Sequence, residues 1–196
     1  MNPSRIVITG IIGAGKSTLA DILRQKGFLV IDADKVNKNL IKEGGKNYLA
    51  IKSEKIFAPA FDGEKLDKKK LAQLIFADKE KMERLNHLSH KNIIEEIDHI
   101  IDKSNKEKVF IEIPLFFQMK ETFPCDKIIL VTANRDVQIQ RLIKRDGISL
   151  SYAQKKIESQ DELKRMKENS DIIIDNSDGV GELEKKIEKI LDRGDF

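Results

Sequence analysis

The sequence predicts an α/β protein with a mainly parallel, five-stranded sheet flanked by helices. Three observations predict this class. Short runs of β-branched residues recur along the chain, amphipathic helical patterns alternate with most of them, and a glycine-rich loop separates the first run from the first helix. Parallel strands need crossover connections, and the helical patterns supply them.

The elements follow in order from the N-terminus. Ile6, Val7 and Ile8 form an unbroken apolar run, which indicates a strand buried on both faces. A helix is predicted over residues 17–26, because Leu19 and Leu23 share one face and Gly27 follows as a helix-ending residue. The remaining strands are predicted at residues 28–31, 109–113, 127–131 and 171–175, and the remaining helices of this pattern at residues 136–144, 151–167 and 181–191.

The pattern changes between residues 36 and 108, where charged amphipathic helices replace strands. The strongest of these helices are predicted at residues 68–76 and 79–101. We interpret 36–108 as an insertion in a single domain that spans residues 1–196. No linker rich in Gly, Pro or Ser marks a domain boundary.

The composition excludes several classes of protein. With 36 Lys and Arg against 33 Asp and Glu, the net charge is +3, which is too balanced for a nucleic-acid scaffold. Hydrophobic residues make up 40% of the chain, enough for a core, and the single Cys125 cannot form an internal disulfide. No apolar run approaches the roughly 18 residues that a membrane helix needs. We therefore expect a cytoplasmic protein with no membrane or nucleic-acid partner.

The loop at residues 10–17 carries the clearest chemical motif. It fits G-x-x-x-x-G-K-[ST] and lies between a predicted strand and a predicted helix, as the phosphate-binding loop of the P-loop nucleoside-triphosphate hydrolase fold requires. Its backbone N–H groups at Gly13, Ala14 and Gly15 would surround phosphate oxygens. Lys16 would bridge the β- and γ-phosphates, and Ser17 would ligate Mg²⁺. The motif predicts that the chain binds a nucleoside triphosphate, and it leaves kinase, switch and motor open.

Asp32 and Asp34 follow the second predicted strand, at the edge of the sheet where ligands collect. In phosphoryl transfer to an alcohol, a carboxylate positions the hydroxyl and accepts its proton. Position alone also allows a structural alternative, in which Asp34 caps a helix that begins near Lys35.

The order of motifs along nearly the whole chain resembles the dephospho-coenzyme A kinase family. The resemblance is carried by the loop through Thr18, the Val-Ile-Asp-Ala-Asp segment ending at Asp34, and a Gly-Glu-Lys-Leu-Asp turn before an Ile-Phe pair. It continues with Leu85 and His90, with the stretch from Glu112 through Pro114, Leu115 and Phe116, and with Arg141, Arg145, Gln160, Asp175 and Asn176. Ile11, Lys91 and Gln118 depart from the usual residues of the family.

The resemblance implies a kinase that phosphorylates the ribose 3′-hydroxyl of dephospho-coenzyme A, the last step of coenzyme A synthesis, with ATP and Mg²⁺. It implies that 36–108 binds the acceptor and that 141–165 forms a lid. Catalysis would involve Asp34, Lys16 and Arg141. The nucleotide would contact Gly13, Ala14, Gly15, Lys16, Ser17, Thr18, Arg145 and Asn176, and the acceptor would contact Asp32, His90, Glu112, Leu115 and Phe116.

Several of these residues also have simpler explanations. Arg141 and Arg145 lie four residues apart on one helix face and could be solvated surface charges. Asn176 could be a turn former, His90 a partly buried helix residue, and Phe116 part of the core. Glu112 could hold Mg²⁺ through water or orient other side chains.

Two rival functions remain open at the level of the residues. A nucleoside or nucleotide kinase would also need an acid after the second strand. A nucleotide-binding switch would need no acceptor, but no guanine-reading Asn-Lys-x-Asp motif is present. The expected partners are ATP and dephospho-coenzyme A. The oligomeric state is open, with a monomer favoured.

Overall fold

The computed structural model describes residues 3–119, 123–159 and 162–195. The chain divides into two compact units, one of Met1–Ile31 with Lys106–Phe196 and one of Asp32–Asn105. The second unit begins and ends within a few residues of the predicted insertion, 36–108. Its part in binding an acceptor remains a prediction.

Strands and helices alternate along the first unit largely in the order that the sequence predicts. The strands are β1 Ser4–Gly10, β2 Leu29–Asp32, β3 Phe61–Asp62, β4 Lys65–Leu66, β5 Lys108–Glu112, β6 Lys127–Thr132 and β7 Ile172–Asp175. The α-helices are α1 Lys16–Gln25, α2 Ala33–Leu40, α3 Lys46–Ser53, α4 Lys68–Phe76, α5 Lys79–Asp102, α6 Arg135–Asp146, α7 Leu150–Glu158, α8 Leu163–Glu168 and α9 Val180–Arg193.

The main sheet has five strands in the order β2-β5-β1-β6-β7. β1 pairs in parallel with β5 and β6, and β6 pairs in parallel with β7. Ile6, Val7 and Ile8 are completely buried, which explains why an uninterrupted apolar run occupies the central strand. The predicted α/β class with a mainly parallel, five-stranded sheet is confirmed.

The register of the sheet brings four strand ends to one edge. Ile8 lies opposite Glu112, Gly10 opposite Val131, and Thr132 opposite Asp175. All of these strands run in the same direction, so the segments that follow them leave the sheet on the same side. Ligands of open α/β sheets bind at this carboxyl edge.

Helices of the first unit bury apolar side chains against the sheet and against each other. Leu19 and Leu23 of α1 and Leu183 and Ile187 of α9 belong to the same buried cluster as the strands. A second cluster joins Ile139 and Leu142 of α6 to Ala153 of α7.

The single helix predicted over residues 151–167 is wrong, because the chain forms two helices there, α7 and α8. The apolar spacing of α7 does not continue at one period into α8. Gln160, named in the family resemblance, lies outside the described residues. The range 141–165 includes the end of α6, all of α7 and the start of α8, and its role as a lid remains a prediction.

The second unit has its own core of Ile51, Phe57, Ala60 and Leu71. α4 and α5 begin where the sequence predicts, because Asp67 and Asp78 each accept hydrogen bonds from two backbone N–H groups of the following turn. α3 and the two-residue strands of the β3–β4 hairpin were not predicted from the sequence.

α5 is a helix of 24 residues that carries charged side chains along its length and buries Ile97 and Ile101. Within the described ranges, no helix combines the length and the apolar character that crossing a bilayer requires.

Replacing Phe57 by Ala should lower the free energy of unfolding by about 3–5 kcal/mol, because the deletion leaves a cavity at a fully buried position. The matched control is Phe76→Ala, since Phe76 is 84% exposed and its removal opens no cavity. Urea unfolding followed by far-ultraviolet circular dichroism measures both. Equal unfolding midpoints for the two variants would contradict this description of the core.

Candidate functional site

The loop at residues 10–17 connects β1 to α1 at the carboxyl edge of the sheet. Gly13 and Gly15 have φ angles of 74° and 91°, a left-handed conformation that L side chains rarely adopt. Gly15 is the N-cap of α1, and no side chain of the described residues bonds to the first N–H groups of the helix at that cap. These donors and the positive end of the helix dipole together form a site suited to an anion.

The residues beneath the loop leave no space for a side chain at Gly15 and little space for one at Gly13. A Cβ atom at Gly15 would lie 2.3 Å from Nδ2 of Asn176, and one at Gly13 would lie 3.0 Å from the carbonyl oxygen of Gln138. Gln138 is buried in the first turn of α6, and its Nε2 donates to the carbonyl of Ala133 at 2.9 Å. Sequence reasoning missed Gln138, although its spacing of four residues from Leu142 places a polar side chain on the apolar side of the predicted helix.

Asn176 follows β7 and is 3% exposed. Its Nδ2 donates to the carbonyl oxygen of Ala14 at 2.8 Å. Its Oδ1 is buried and accepts no hydrogen bond from any residue that the structure describes. The residue therefore does more than form a turn, because its amide fixes a carbonyl of the loop.

Arg141 of α6 also contacts the loop. One terminal nitrogen donates to the carbonyls of Gly13 and Ala14 at 3.3 and 3.1 Å, and the other donates to the carbonyl of Asn176 at 2.8 Å. The guanidinium thus joins two segments that follow different strands. It also places a permanent positive charge beside the anion site.

Arg145 lies one turn further along α6 and does not contact the loop. Its side chain is 63% exposed and donates two hydrogen bonds to Asp146, at 2.7 and 3.1 Å. These bonds, with a weaker contribution from Lys156, lower the pKa of Asp146 to about 2. The nucleotide contact assigned to Arg145 by the resemblance remains a prediction.

Lys16 and Ser17 begin α1. The ammonium of Lys16 donates to the carbonyls of Gly10 and Ile11 at 2.9 and 3.2 Å, so it lies across the loop to which it belongs. The hydroxyl of Ser17 donates to Oε1 of Glu112 at 3.0 Å, and Glu112 is buried at the end of β5. Thr18 follows in the first turn and is half-buried.

A hydroxyl and a carboxylate in contact form a set of hard oxygen donors, which fits Mg²⁺. Among the described residues no cluster of three or more His, Cys, Asp or Glu side chains could hold a metal without other ligands.

The segment after β5 forms one wall of a cleft beside the loop. The carbonyl of Pro114 accepts from the Thr9 hydroxyl at 3.3 Å, which ties the segment to β1. Leu115 is exposed, and the half-buried ring of Phe116 packs edge to face on Phe117 with centroids 5.3 Å apart. The cleft is lined by Gly10, Ile11, Pro114, Leu115, Phe117, Gln118, Glu162 and Met166.

In the second unit, the structural alternative for Asp34 is wrong. The N-cap of α2 is Asp32, whose Oδ1 accepts from the backbone N–H of Lys35 at 3.0 Å. Asp34 lies in the first turn, exposed, and its carboxylate bonds to none of the described residues. His90 lies half-buried on α5.

The family model and the curated relatives that this chain matches point to one family. The sequence model of the dephospho-CoA kinase family matches residues 5–182. The chain is 32% identical to the dephospho-CoA kinase of Fusobacterium nucleatum over 189 residues, which cover 95% of this chain and 96% of the relative.

Two solved structures extend the likeness to the fold. A crystal structure of a Thermus thermophilus protein is similar with a TM-score of 0.83 and 26% identity. The dephospho-CoA kinase of Campylobacter jejuni is similar with a TM-score of 0.70 and 29% identity. Each comparison covers 98% of both chains.

Replacing Gly15 by Ala should weaken ATP binding at least about tenfold. The new Cβ would collide with the Asn176 side chain, and the loop would shift so that its backbone N–H groups no longer converge on the phosphates. Gly27→Ala is the matched control, since Gly27 has a similar φ of 87° but no atom within 4 Å of the new Cβ. Titration with a fluorescent ATP analogue measures affinity. Wild-type affinity in Gly15→Ala would show that the loop tolerates a side chain there.

Proposed function

Because this chain belongs to the dephospho-CoA kinase family, we propose that it transfers the γ-phosphoryl group of ATP to the 3′-hydroxyl of the ribose of dephospho-coenzyme A. The observation that carries the proposal is the family match, which spans the loop, the second unit and α6. The product is coenzyme A, so the reaction completes its synthesis.

The loop and Lys16 hold the phosphates. The backbone N–H groups of Gly13 and Gly15 donate to phosphate oxygens, and the Ala14 N–H exchanges its bond to the Ile11 carbonyl for a phosphate oxygen. The Lys16 ammonium likewise exchanges its loop carbonyls for the β- and γ-phosphates. The contacts of Arg141 and Asn176 with the loop support this assignment, because they fix the carbonyls while the N–H groups face the ligand.

Ser17 and Glu112 would hold Mg²⁺, Ser17 through its hydroxyl and Glu112 through a water molecule. Their contact at 3.0 Å supports the pairing. When bound, the ion supplies positive charge that offsets the charge of the phosphates.

Asp34 is the proposed general base. In the reaction, the 3′-oxygen forms a bond to the γ-phosphorus, the bond from that phosphorus to the β–γ bridging oxygen breaks, and the hydroxyl proton passes to the Asp34 carboxylate. ADP leaves with the bridging oxygen. Asp32 caps α2, so the Asp34 carboxylate is exposed and accepts no hydrogen bond from the described residues. This arrangement supports the role of Asp34 as the base.

The positive charge of Arg141 stabilises the negative charge on the phosphoryl group during transfer. Arg145 contacts the nucleotide after the lid at 141–165 closes. Closure would exclude water, which otherwise accepts the phosphoryl group. Thr18 and Asn176 complete the nucleotide site. The acceptor contacts are assigned to Asp32, His90, Glu112, Leu115 and Phe116.

The proposal also includes Mg²⁺ as the working cation, a cytoplasmic location and a monomeric state. We propose no nucleic-acid or membrane partner for this protein.

A panel of acceptors tests the function. The purified chain is incubated with ATP, Mg²⁺ and, separately, dephospho-coenzyme A, adenosine, AMP, pantetheine or no acceptor, and ADP release is measured. We expect rapid turnover with dephospho-coenzyme A and phosphorus NMR evidence of a 3′-monophosphate. Preference for a nucleoside or nucleotide would support the rival kinase, and equal turnover without acceptor would support a nucleotide-binding switch.

Replacing Asp34 by Asn should lower kcat by about 10²–10⁴-fold, because the amide cannot accept the hydroxyl proton. The affinity for ATP should stay at the wild-type value, since the phosphate contacts are assigned to the loop. Stopped-flow or coupled-assay kinetics and ATP titration give the two quantities. A Lys16→Ala variant is the contrasting control, in which turnover falls and ATP affinity falls with it. Full turnover in Asp34→Asn would reject the base assignment.

A further inference from the structure

Three asparagine side chains form a hydrogen-bonded chain through the second unit. Nδ2 of Asn92 on α5 donates to Oδ1 of Asn47 on α3 at 2.8 Å, and Nδ2 of Asn47 donates to Oδ1 of Asn37 on α2 at 2.8 Å. Asn47, in the middle, is 1% exposed. Burying an amide side chain costs little free energy only when its polar atoms are hydrogen-bonded. Both the Oδ1 and the Nδ2 of Asn47 are hydrogen-bonded.

The chain of amides fixes which end of Asn37 is available. Its Oδ1 is occupied by Asn47, so the orientation of the Asn37 amide is set by two residues on other helices. Its Nδ2 donates to none of the described residues, and the residue is half-buried. The side chain therefore offers an oriented N–H donor at the surface of α2.

Asn37 and Asp34 are neighbours on α2. They are three residues apart, so they lie on the same face with Cβ atoms about 5–6 Å apart. One residue offers a carboxylate acceptor and the other an amide donor. The pair is complementary to two adjacent hydroxyl groups, one of which gives up a proton while the oxygen of the other accepts a hydrogen bond.

We propose that Asn37 is an acceptor-binding residue that donates a hydrogen bond to the 2′-hydroxyl oxygen of the ribose whose 3′-hydroxyl faces Asp34. This inference rests on the proposed function, because it takes Asp34 as the base. Asn47 and Asn92 are positioning residues that hold the Asn37 amide in its orientation. The hydrogen bond from Asn37 makes the protein selective for a ribose acceptor over a 2′-deoxyribose acceptor.

The test compares kcat/KM for dephospho-coenzyme A with kcat/KM for its 2′-deoxy analogue, which keeps the reacting 3′-hydroxyl. In the wild type we expect a preference of about tenfold for the ribose acceptor, the size of one neutral hydrogen bond. Asn37→Ala removes the donor. Asn37→Asp removes it too but keeps an acceptor for Asn47, so the amide chain stays intact and the unit stays folded.

Both Asn37 variants should bring the preference close to one and leave the KM for ATP unchanged. Asn47→Ala should lower the preference partway, since the Asn37 amide can then rotate; a purely structural role of Asn47 would change both acceptors equally. Asn39→Ala is the matched control, because Asn39 is an exposed asparagine on the same helix that bonds to Lys42 and faces away from Asp34.

The possible outcomes distinguish a wrong assignment of Asn37 from a wrong proposed function. A wild-type preference that persists in both Asn37 variants, or a wild type that uses both acceptors equally well, would overturn the assignment of Asn37 alone. A wild type that phosphorylates neither acceptor would overturn the proposed function and this inference with it.

Discussion

The carbonyl oxygen of Ala14 accepts hydrogen bonds from two side chains, the amide of Asn176 at 2.8 Å and the guanidinium of Arg141 at 3.1 Å. A loop that turns its N–H groups toward an anion turns its carbonyls toward the protein, where each needs a donor. Asn176 and Arg141 supply those donors from segments after β7 and after β6. The shape of the phosphate-binding loop thus depends on the sheet, whose register brings these segments to one edge.

This arrangement explains two other features of the site. Donors packed so closely beneath the loop exclude a Cβ atom at Gly15, so the glycine of the motif serves packing as well as backbone conformation. The positive charge of Arg141 lies in the supporting layer of the loop, where it favours an anion before any lid closes. The net charge of +3 gives no sign of this, because the effect comes from the placement of a few charges.

Much of the fold could be predicted from the sequence, because unbroken apolar runs mark buried parallel strands and the loop motif fixes the first strand–helix junction. What could not be predicted depends on contacts distant in sequence. Position alone did not show that Asp32 caps α2 and leaves Asp34 exposed, or that Arg141 reaches the loop while Arg145 pairs with Asp146. The buried amide of Asn47 was equally hidden, since its partners come from two other helices.

Amide hydrogen exchange at Ala14, whose N–H donates to the Ile11 carbonyl at 3.3 Å within the loop, tests most directly whether Asn176 holds the loop. In an Asn176→Ala variant, exchange at Ala14 should accelerate at least about tenfold through local opening, while the amides of central β1 keep their wild-type rates. Unchanged exchange at Ala14 would contradict the account, because the loop would then keep its shape without the Asn176 amide.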